Sequence, residues 1–128
     1  MIGLVVIGYD VLPEAMLVAL QCMKGKQEQI VAVSLAPEEE IEKQRQTILD
    51  AIEHVNIGEG VLVFTDAEDS AAGYLSLSIA NLAEADIISG VNLTMRTKVT
   101  ENREKLSIND LAKLARDEGR KGITWLAP

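Results

Sequence analysis

The sequence predicts an α/β fold, a three-layer sandwich built on a mostly parallel sheet of four strands, with a fifth strand at the C-terminus. Two observations predict this class. Short apolar runs alternate with longer segments of helical period, which is the order of a sheet covered by helices on both faces. The apolar runs are nearly continuous and rich in β-branched residues, which is typical of strands buried on both faces. With 128 residues and no linker or repeat, the chain is predicted to form one domain over residues 1–128.

Five apolar runs predict the strands. The first, at residues 2–7, reads Ile-Gly-Leu-Val-Val-Ile, and the next three lie at residues 29–35, 60–65 and 85–89. A final run at residues 122–126 contains Trp125, the one tryptophan of the chain. Because a lone apolar strand would leave an open sheet edge, we expect this run to pair with its own sheet or with a second subunit.

The segments between the first three runs have the period of helices whose apolar side faces a core. The first helix is predicted to end at Lys24 and Gly25, since glycine commonly terminates helices. Pro37 suits the first position of the second helix, where the glutamates at residues 38–40 would favour the helix dipole. The predicted inward positions are Leu12, Met16, Ala19, Leu20 and Met23 in the first helix and Ile41, Ile48, Ile52 and Val55 in the second.

Two further helices are predicted after the third and fourth strands. One starts near Asp69 or Ser70, and the other starts at Ser107, which with Asp110 resembles a capping box. Gly119 is expected to end the second of these helices. Their predicted inward positions are Leu75, Ile79 and Leu82, and then Ile108, Leu111, Ala112 and Ala115.

The composition argues against several classes of protein. A formal net charge of −8 and a pI of about 4.6 argue against nucleic-acid binding, because an acidic surface repels phosphates. No apolar run approaches the ~18 residues that a membrane span needs, so we expect no insertion into a membrane. The single cysteine, Cys22, excludes an internal disulfide framework and is expected to be at least half-buried. It fits the reducing cytoplasm, where we expect the protein to act.

Polar side chains are concentrated in three loops that follow the first, third and fourth predicted strands. In open α/β sheets, ligands bind beyond the carboxyl ends of the strands. These loops carry no Lys, Arg or His, so a tightly bound phosphate would need an added cation. Mg²⁺ is one candidate, with Asp10, Asp66 and Asp69 as its ligands, although the simpler interpretation is that the acids cap helices and face water. The candidate pocket residues are Tyr9, Asp10, Asp66, Glu68, Asp69, Ser70 and Asn92.

Five segments, in order along the chain, carry a family resemblance. The most specific is Ile-Ser-Gly-Val-Asn-Leu at residues 88–93, followed by Met95, which is close to a family pattern I-x-G-V-N-x-P-M. The others are the opening strand and helix, the segment at residues 25–35, the run at residues 60–66 and the connection at residues 118–123. Together these segments resemble enzyme IIA of the mannose-type phosphotransferase system over nearly the whole chain.

The resemblance implies a phosphoryl carrier. In that family a histidine after the first strand accepts phosphate from the phosphocarrier HPr and passes it to a partner domain, enzyme IIB. An aspartate after the third strand orients the histidine, and a Gly-Gly-Thr/Ser-Pro turn cradles the phosphoryl group. The family also forms dimers that exchange the last strand. The resemblance therefore implies a homodimer in which residues 122–126 cross to the second subunit.

The sequence departs from this family at the residues that carry the chemistry. Aligned without gaps, Tyr9 takes the histidine position and Asp10 takes that of the following glycine, whereas Asp66 keeps the carboxylate. The turn at residues 69–72 reads Asp-Ser-Ala-Ala, and Thr94 stands where the family has proline. The resemblance thus implies a preserved framework with an altered carrier site.

We therefore expect an enzyme IIA-like protein that lacks the carrier histidine, a regulatory or binding relative rather than an enzyme. A phenol with a pKa near 10 beside acids is a poor phosphoryl acceptor, so Tyr9 is not expected to replace histidine. An aspartyl phosphate on Asp10 would need a nearby lysine, and Lys121 is placed at the wrong end of its strand. The one histidine, His54, is expected to face solvent. Two alternatives stay open: a Mg²⁺-dependent phosphoryl acceptor or enzyme, and a small-ligand binding protein.

Overall fold

Strands and helices alternate along the chain as the sequence predicts, with one additional helix. The computed structural model describes residues 1–128. The strands are β1 (Gly3–Tyr9), β2 (Ile30–Leu35), β3 (Val61–Thr65) and β4 (Asp86–Ser89). The helices are α1 (Leu12–Lys24), α2 (Ile41–Val55), α3 (Ala71–Ala83), α4 (Leu93–Asn102) and α5 (Ile108–Lys121).

The four strands form one parallel sheet in the order β2-β1-β3-β4. Val5 of β1 pairs with Val31 of β2 on one side and with Val63 of β3 on the other. The chain therefore builds the sheet outward from β1 in one direction and then in the other, and the order reverses between β1 and β3. The predicted α/β class and the four-stranded parallel sheet are confirmed.

Helices cover both faces of the sheet, and each face has its own apolar core. One core lies between the sheet and the pair α2 and α3, and it includes Val5, Ile7, Ile48, Ile52 and Ile79. The other lies between the sheet and α4 and α5, with α1 packed against α4, and it includes Leu4, Val6, Val99 and Leu111. Because alternate residues of β1 enter opposite cores, its apolar run is continuous. None of the five helices combines the length and the apolar character that crossing a bilayer demands.

Helix α4 was not predicted from the sequence. Its inward side carries the apolar residues Met95 and Val99, but Arg96 and Arg103 are buried as well. An inward side with both apolar and charged residues gives no amphipathic pattern, so periodicity could not reveal the helix. The helix begins after Asn92, whose Oδ1 accepts a hydrogen bond from the backbone N–H of Met95 at 2.9 Å.

The second helix begins later than predicted. Pro37 does not occupy its first position, because this proline lies in a turn that ends before the helix starts at Ile41. Gln44 is buried and accounts for the turn, since its Nε2 donates to the carbonyl oxygens of Ala36 at 3.0 Å and Glu39 at 2.9 Å. Ile41 is 63% exposed and does not face the core as predicted, although the rest of the predicted apolar stripe is buried.

Helix α1 is rotated relative to the prediction. A Cβ atom at Gly8 would lie 3.2 Å from Cγ of Pro13, so the missing side chain lets Pro13 pack against β1. The fully inward residues of α1 are consequently Pro13 and Leu20. Three residues predicted to be inward or half-buried are exposed instead: Leu12, Met23 and Cys22.

Helix α3 shows a similar shift. Its buried residues include Ala72 and Ser76, whose small side chains let the helix approach the sheet closely, together with Ile79. Leu82, which was predicted to face inward, is 75% exposed. Leu82 was wrongly predicted to face inward because α3 contacts the sheet mainly through small residues.

Helix α5 begins as predicted and ends later. Ser107 caps it by accepting a hydrogen bond from the backbone N–H of Asp110 at 3.2 Å. Gly119 does not end the helix, which continues for two more residues. It is buried instead where α5 packs against α4, and a Cβ atom there would lie 3.3 Å from Cβ of Met95. Residues 123–128 are exposed and form no strand in this single chain, so the predicted fifth strand does not join the chain's own sheet.

Candidate functional site

Three polar loops meet at the edge of the sheet where the parallel strands end, which we call the carboxyl edge. β1 ends at Tyr9, β3 at Thr65 and β4 at Ser89. The Thr65 hydroxyl donates to Oγ of Ser89 at 3.0 Å, and the N–H of Val91 donates to the carbonyl oxygen of Thr65 at 3.1 Å. Because the strand order reverses between β1 and β3, this edge is the topological switch point at which α/β proteins bind ligands.

The loop after β3 is closed by Asp66. Its Oδ1 accepts hydrogen bonds from the backbone N–H of Ala67 at 2.8 Å and from the hydroxyl of Ser70 at 2.5 Å. Ser70 in turn caps α3, accepting from the N–H of Gly73 at 2.9 Å. A Cβ atom at Gly73 would lie 2.8 Å from the carbonyl oxygen of Glu68, so the turn requires glycine at this position. Asp66 and Ser70 therefore have structural partners within their own loop.

Three acids of the candidate site, Asp10, Glu68 and Asp69, are exposed. Asp10 has a left-handed backbone with φ 59°, a conformation that aspartate tolerates better than most residues. No three His, Cys, Asp or Glu side chains come together anywhere in the chain in a way that could hold a metal ion. The Mg²⁺ ligand candidates Asp10, Asp66 and Asp69 thus do not form a three-residue cluster.

Tyr9 turns toward α2 rather than toward the loop after β3. Its hydroxyl donates to Oε1 of the buried Gln44 at 2.9 Å, and its ring packs against the core shared with α2 and α3. Tyr9 and Asp66 consequently have separate hydrogen-bond partners. The hydroxyl that stands at the predicted histidine position is committed to the architecture of α2.

Asn92 serves the packing of two helices. While its Oδ1 caps α4, its Nδ2 donates to the carbonyl oxygen of Gly119 in α5 at 2.9 Å. Both ends of the amide are therefore used, and the side chain fixes the start of α4 against the end of α5.

A cavity of about 500 Å³ opens beside Tyr9, between the beginnings of α2 and α3. This volume lies within the range of roughly 300–1,000 Å³ that small-molecule sites occupy. Two of its polar side chains have partners within the chain, since Gln44 bonds to Tyr9, Ala36 and Glu39 and Arg45 pairs with Glu42. Its lining includes Tyr9, Ile41, Tyr74 and Leu75, so it suits an apolar or aromatic group.

The basic residues near the site come from the helices rather than from the loops. Arg116 and Arg120 line a smaller cavity of about 180 Å³ beside β4. Arg96 is fully buried, with its guanidinium carbon 5.3 Å from the centroid of the Phe64 ring. Burial, and then the nearby charge of Arg103, lower the pKa of Arg96 to about 10, which still leaves it cationic at neutral pH. Inspection of the loops missed Arg96 because α4 was not predicted, and it missed Arg116 and Arg120 because they lie within the predicted last helix rather than in a loop.

His54 lies at the other end of the molecule. It is exposed near the end of α2, next to Val55, whose carbonyl oxygen packs directly on Gly3 at the start of β1. The prediction that His54 faces solvent is confirmed.

Comparison with known proteins identifies the family. Residues 3–115 match the family model described as PTS system fructose IIA component. The fold matches that of the phosphotransferase system component EIIA from Streptococcus agalactiae with a TM-score of 0.87 and 20% identity, covering 97% of this chain and 96% of that one. For the mannose/sorbose specific IIA subunit from Enterococcus faecalis the TM-score is 0.86 and the identity 15%, covering 99% and 96%.

A third similar structure is the PTS IIA protein associated with the fucose utilization operon from Streptococcus pneumoniae, with a TM-score of 0.76 and 18% identity over 90% of this chain and 88% of that one. No curated protein matches the sequence. At these identities the solved structures establish the fold, and the family model establishes membership. Since the model spans most of the chain, this protein belongs to the family of PTS system fructose IIA components and has the fold of mannose-type IIA proteins.

Proposed function

We propose that this protein is a mannose-type IIA relative that carries no phosphoryl group on histidine and acts as a regulatory or binding subunit. The observation that carries the proposal is the position of His54, the one histidine of the chain. It lies at the end of α2, a helix of 15 residues that starts near the carboxyl edge. At 1.5 Å per residue, α2 separates its two ends by about 20 Å. His54 is thus remote from the loops where ligands bind in this fold.

The side chains at the carboxyl edge also support a role without phosphoryl transfer. The Tyr9 hydroxyl donates to Gln44, and no base accepts its proton. Asp66 is bonded to Ser70 and to its own loop, so it does not orient a nucleophile. A tyrosyl phosphate is also a stable ester, unsuited to reversible transfer.

The partners that fit this proposal are those of the phosphotransferase system, HPr and an enzyme IIB. A IIA-like surface without a carrier group would dock such proteins and respond to their state. The protein would also form a homodimer. The β4 edge of the sheet is unpaired, and the apolar residues Ile123, Trp125 and Leu126 are 77%, 92% and 90% exposed. Exchange of this segment between two chains would cover both features.

The test is incubation with a phosphoenolpyruvate-driven relay that ends in HPr, followed by measurement of intact mass. A histidine-bearing IIA protein serves as the positive control. We expect no mass gain on this chain. A gain of one phosphoryl group would overturn the proposal, and a His54→Gln variant would show whether that group sits on the surface histidine.

A gain-of-function pair tests whether the framework is intact. Histidine is installed at the carboxyl edge as Tyr9→His or as Asp10→His in a His54→Gln background. The left-handed backbone at position 10 tolerates histidine better than most residues. Transfer to either variant would support a preserved docking surface, and calorimetric titration of the wild-type chain with HPr and with IIB measures docking directly. Absence of binding to both would remove the partner assignment.

One observation favours a second candidate, a small-ligand binding protein. The cavity of about 500 Å³ beside Tyr9 is large enough for a small molecule and has an aromatic and apolar lining. Native mass spectrometry of the purified chain tests this candidate. A co-purifying ligand would appear as added mass on the wild-type chain, and Tyr74→Ala should lower the fraction of chains that carry it.

A further inference from the structure

The buried side-chain polar atoms that lack a hydrogen-bond partner all belong to helix α4. They are Nε, Nη1 and Nη2 of Arg96 and the Oγ1 atoms of Thr97 and Thr100. Buried polar groups in proteins are nearly always bonded, and an unpaired buried guanidinium is among the costliest of them. Their concentration on three positions within two turns of one helix makes this patch the part of the interior whose polar side chains the chain itself does not satisfy.

The patch faces α1. Glu101, one turn after Thr97, accepts a hydrogen bond of 2.5 Å from Lys24 at the end of α1. Met95 and Val99, on the other side of α4, pack in the core with α5. Thr97 therefore lies on the flank of α4 that α1 covers, whereas the Arg96 side chain reaches the sheet, where its guanidinium lies over the ring of Phe64.

Arg96 is the centre of the patch and lies deepest. Its side chain is fully buried, and its guanidinium rests over the ring of Phe64 on the sheet. The chain has 20 Asp and Glu residues, yet none of them bonds to this guanidinium. The loop acid nearest in sequence to Phe64 is Asp66, whose Oδ1 is already bonded within its own turn. An anion from outside the chain would therefore supply the hydrogen-bond acceptors and the negative charge that the Arg96 guanidinium lacks.

We propose that Arg96, Thr97 and Thr100 bind a small oxyanion of the phosphate type between α4 and α1. The planar fork of a guanidinium matches two oxygens of such an ion, and each threonine hydroxyl can donate to another. The positive charge distinguishes an oxyanion from water as the better partner. This site uses none of the carboxyl-edge residues, so the inference stands apart from the proposed function.

Access to the site runs through α1. None of the three surface cavities borders Arg96, so the ion enters when α1 shifts. Within α1 only Pro13 and Leu20 are buried, while Val18 and Met23 are more than half exposed. A helix with two fully buried residues is expected to open more readily than the strands beneath it. Binding of the ion would fix α1 in place.

The test compares thermal unfolding of the wild-type chain and Arg96→Met in inorganic phosphate and in chloride at equal ionic strength. Phosphate stabilises many proteins without binding them, so the readout is the difference between the two chains. We expect the wild-type melting temperature to rise with ln(1 + [phosphate]/Kd), and the variant to show only the general effect. In chloride, Arg96→Met should melt about 5 °C higher than the wild type, because an apolar isostere replaces an unpaired charge.

The matched control is Arg120→Met, which removes an exposed arginine from the small cavity beside β4. It should keep the full wild-type response to phosphate. An equal phosphate response in wild type and Arg96→Met would overturn the proposal, as would loss of the response in Arg120→Met alone. Thr100→Val, which keeps the side-chain shape, should need a several-fold higher phosphate concentration than the wild type for the same rise in melting temperature.

Hydrogen exchange gives an independent readout that does not require an apolar variant to fold. Phosphate should slow amide exchange in α1 of the wild type several-fold, and Arg96→Lys, which keeps the charge but loses the fork, should reduce this protection. Unchanged exchange in α1 would contradict the site. These outcomes are separate from the mass measurement that tests phosphoryl transfer, so either proposal can fail without the other.

Discussion

The hydroxyl of Tyr9 donates a hydrogen bond to Oε1 of Gln44 across 2.9 Å, joining the end of β1 to the first turn of α2. Gln44 also bonds to the turn after β2, because its Nε2 donates to the carbonyl oxygens of Ala36 and Glu39. One buried amide thus organises the end of β1, the turn after β2 and the start of α2. Position 9 is therefore a structural position as well as a candidate site.

Tyr9→Phe should lower the free energy of unfolding by about 1–2 kcal/mol, because it leaves the buried Oε1 of Gln44 without a donor. Urea denaturation measures the loss. Tyr74→Phe is the control, since the Tyr74 side chain is 62% exposed and its hydroxyl makes no hydrogen bond within the chain, and its stability should be unchanged. Equal stability of Tyr9→Phe and wild type would show that the Gln44 amide finds another partner at no cost.

Ser70→Ala should cost about 1 kcal/mol or more, because it removes the cap of α3 and also the hydroxyl that Asp66 accepts. Ser107→Ala removes the cap of α5 without touching the carboxyl edge, and it isolates the cost of a cap alone. Urea denaturation of both variants should show the larger loss in Ser70→Ala. A smaller loss there would mean that the Asp66 bond contributes nothing to the turn.

Arg96→Met should be more stable than wild type near neutral pH in buffers without oxyanions, by at most about 3 kcal/mol. The folded pKa of Arg96 is lowered to about 10, so its charged form fits the fold worse than the unfolded chain. The folded wild type releases this proton before the unfolded chain does, so its stability recovers relative to the variant as pH rises above about 10. The advantage of Arg96→Met is therefore complete below pH 10 and shrinks above it.

Denaturation at several pH values measures this difference between Arg96→Met and wild type. Besides burial, the positive charge of Arg103 contributes to the lowered pKa of Arg96. Lys24 and Glu101, which are charged groups where α1 meets α4, pair with each other. Arg116→Met, at an exposed position, should show no advantage at any pH. A variant less stable than wild type near pH 8 would mean that the folded chain already compensates the buried charge.

Trp125 reports on chain exchange, because it is the one tryptophan and is 92% exposed in a single chain. If the C-terminal segment crosses to a second chain, its fluorescence should shift to shorter wavelength as concentration rises. Leu126→Ser should weaken the dimer measured by light scattering while keeping the tryptophan as reporter. Val18→Ser, which alters another exposed apolar residue but on α1, should leave the dimer intact. A wild-type chain that stays monomeric at high concentration would contradict the proposed exchange of the C-terminal segment.

The strands could be predicted because each contains a short apolar run, and in β1 and β3 nearly every residue is buried. The cap at Ser107 could also be predicted, since a hydroxyl before a helical pattern has a specific local role, and the start of α3 could be placed near Asp69 or Ser70. Helix rotation could not, because it depends on close approaches that a single sequence does not reveal. Gly8 receives Pro13, for example, and so turns Leu12 toward solvent.

The candidate site was predictable in position but not in its connections. The carboxyl edge follows from strand order, whereas the bond from Tyr9 to Gln44 joins residues 35 positions apart. Arg96 could not be found at all, because a charged residue on the inner side of a helix contradicts the pattern by which helices are recognised. The residue that departs most from the pattern is the one that supports a new site.

The double use of the Asn92 amide makes the contact between the start of α4 and the end of α5 depend on one nitrogen. Deamidation would turn the amide into a carboxylate, which keeps the oxygen that caps α4 but loses the nitrogen that reaches Gly119. A negative charge would then face a carbonyl oxygen, and α5 would be pushed from α4 while α4 itself stayed capped. One hydrolysed bond would thus loosen the segment that leads into Trp125 and leave the sheet untouched.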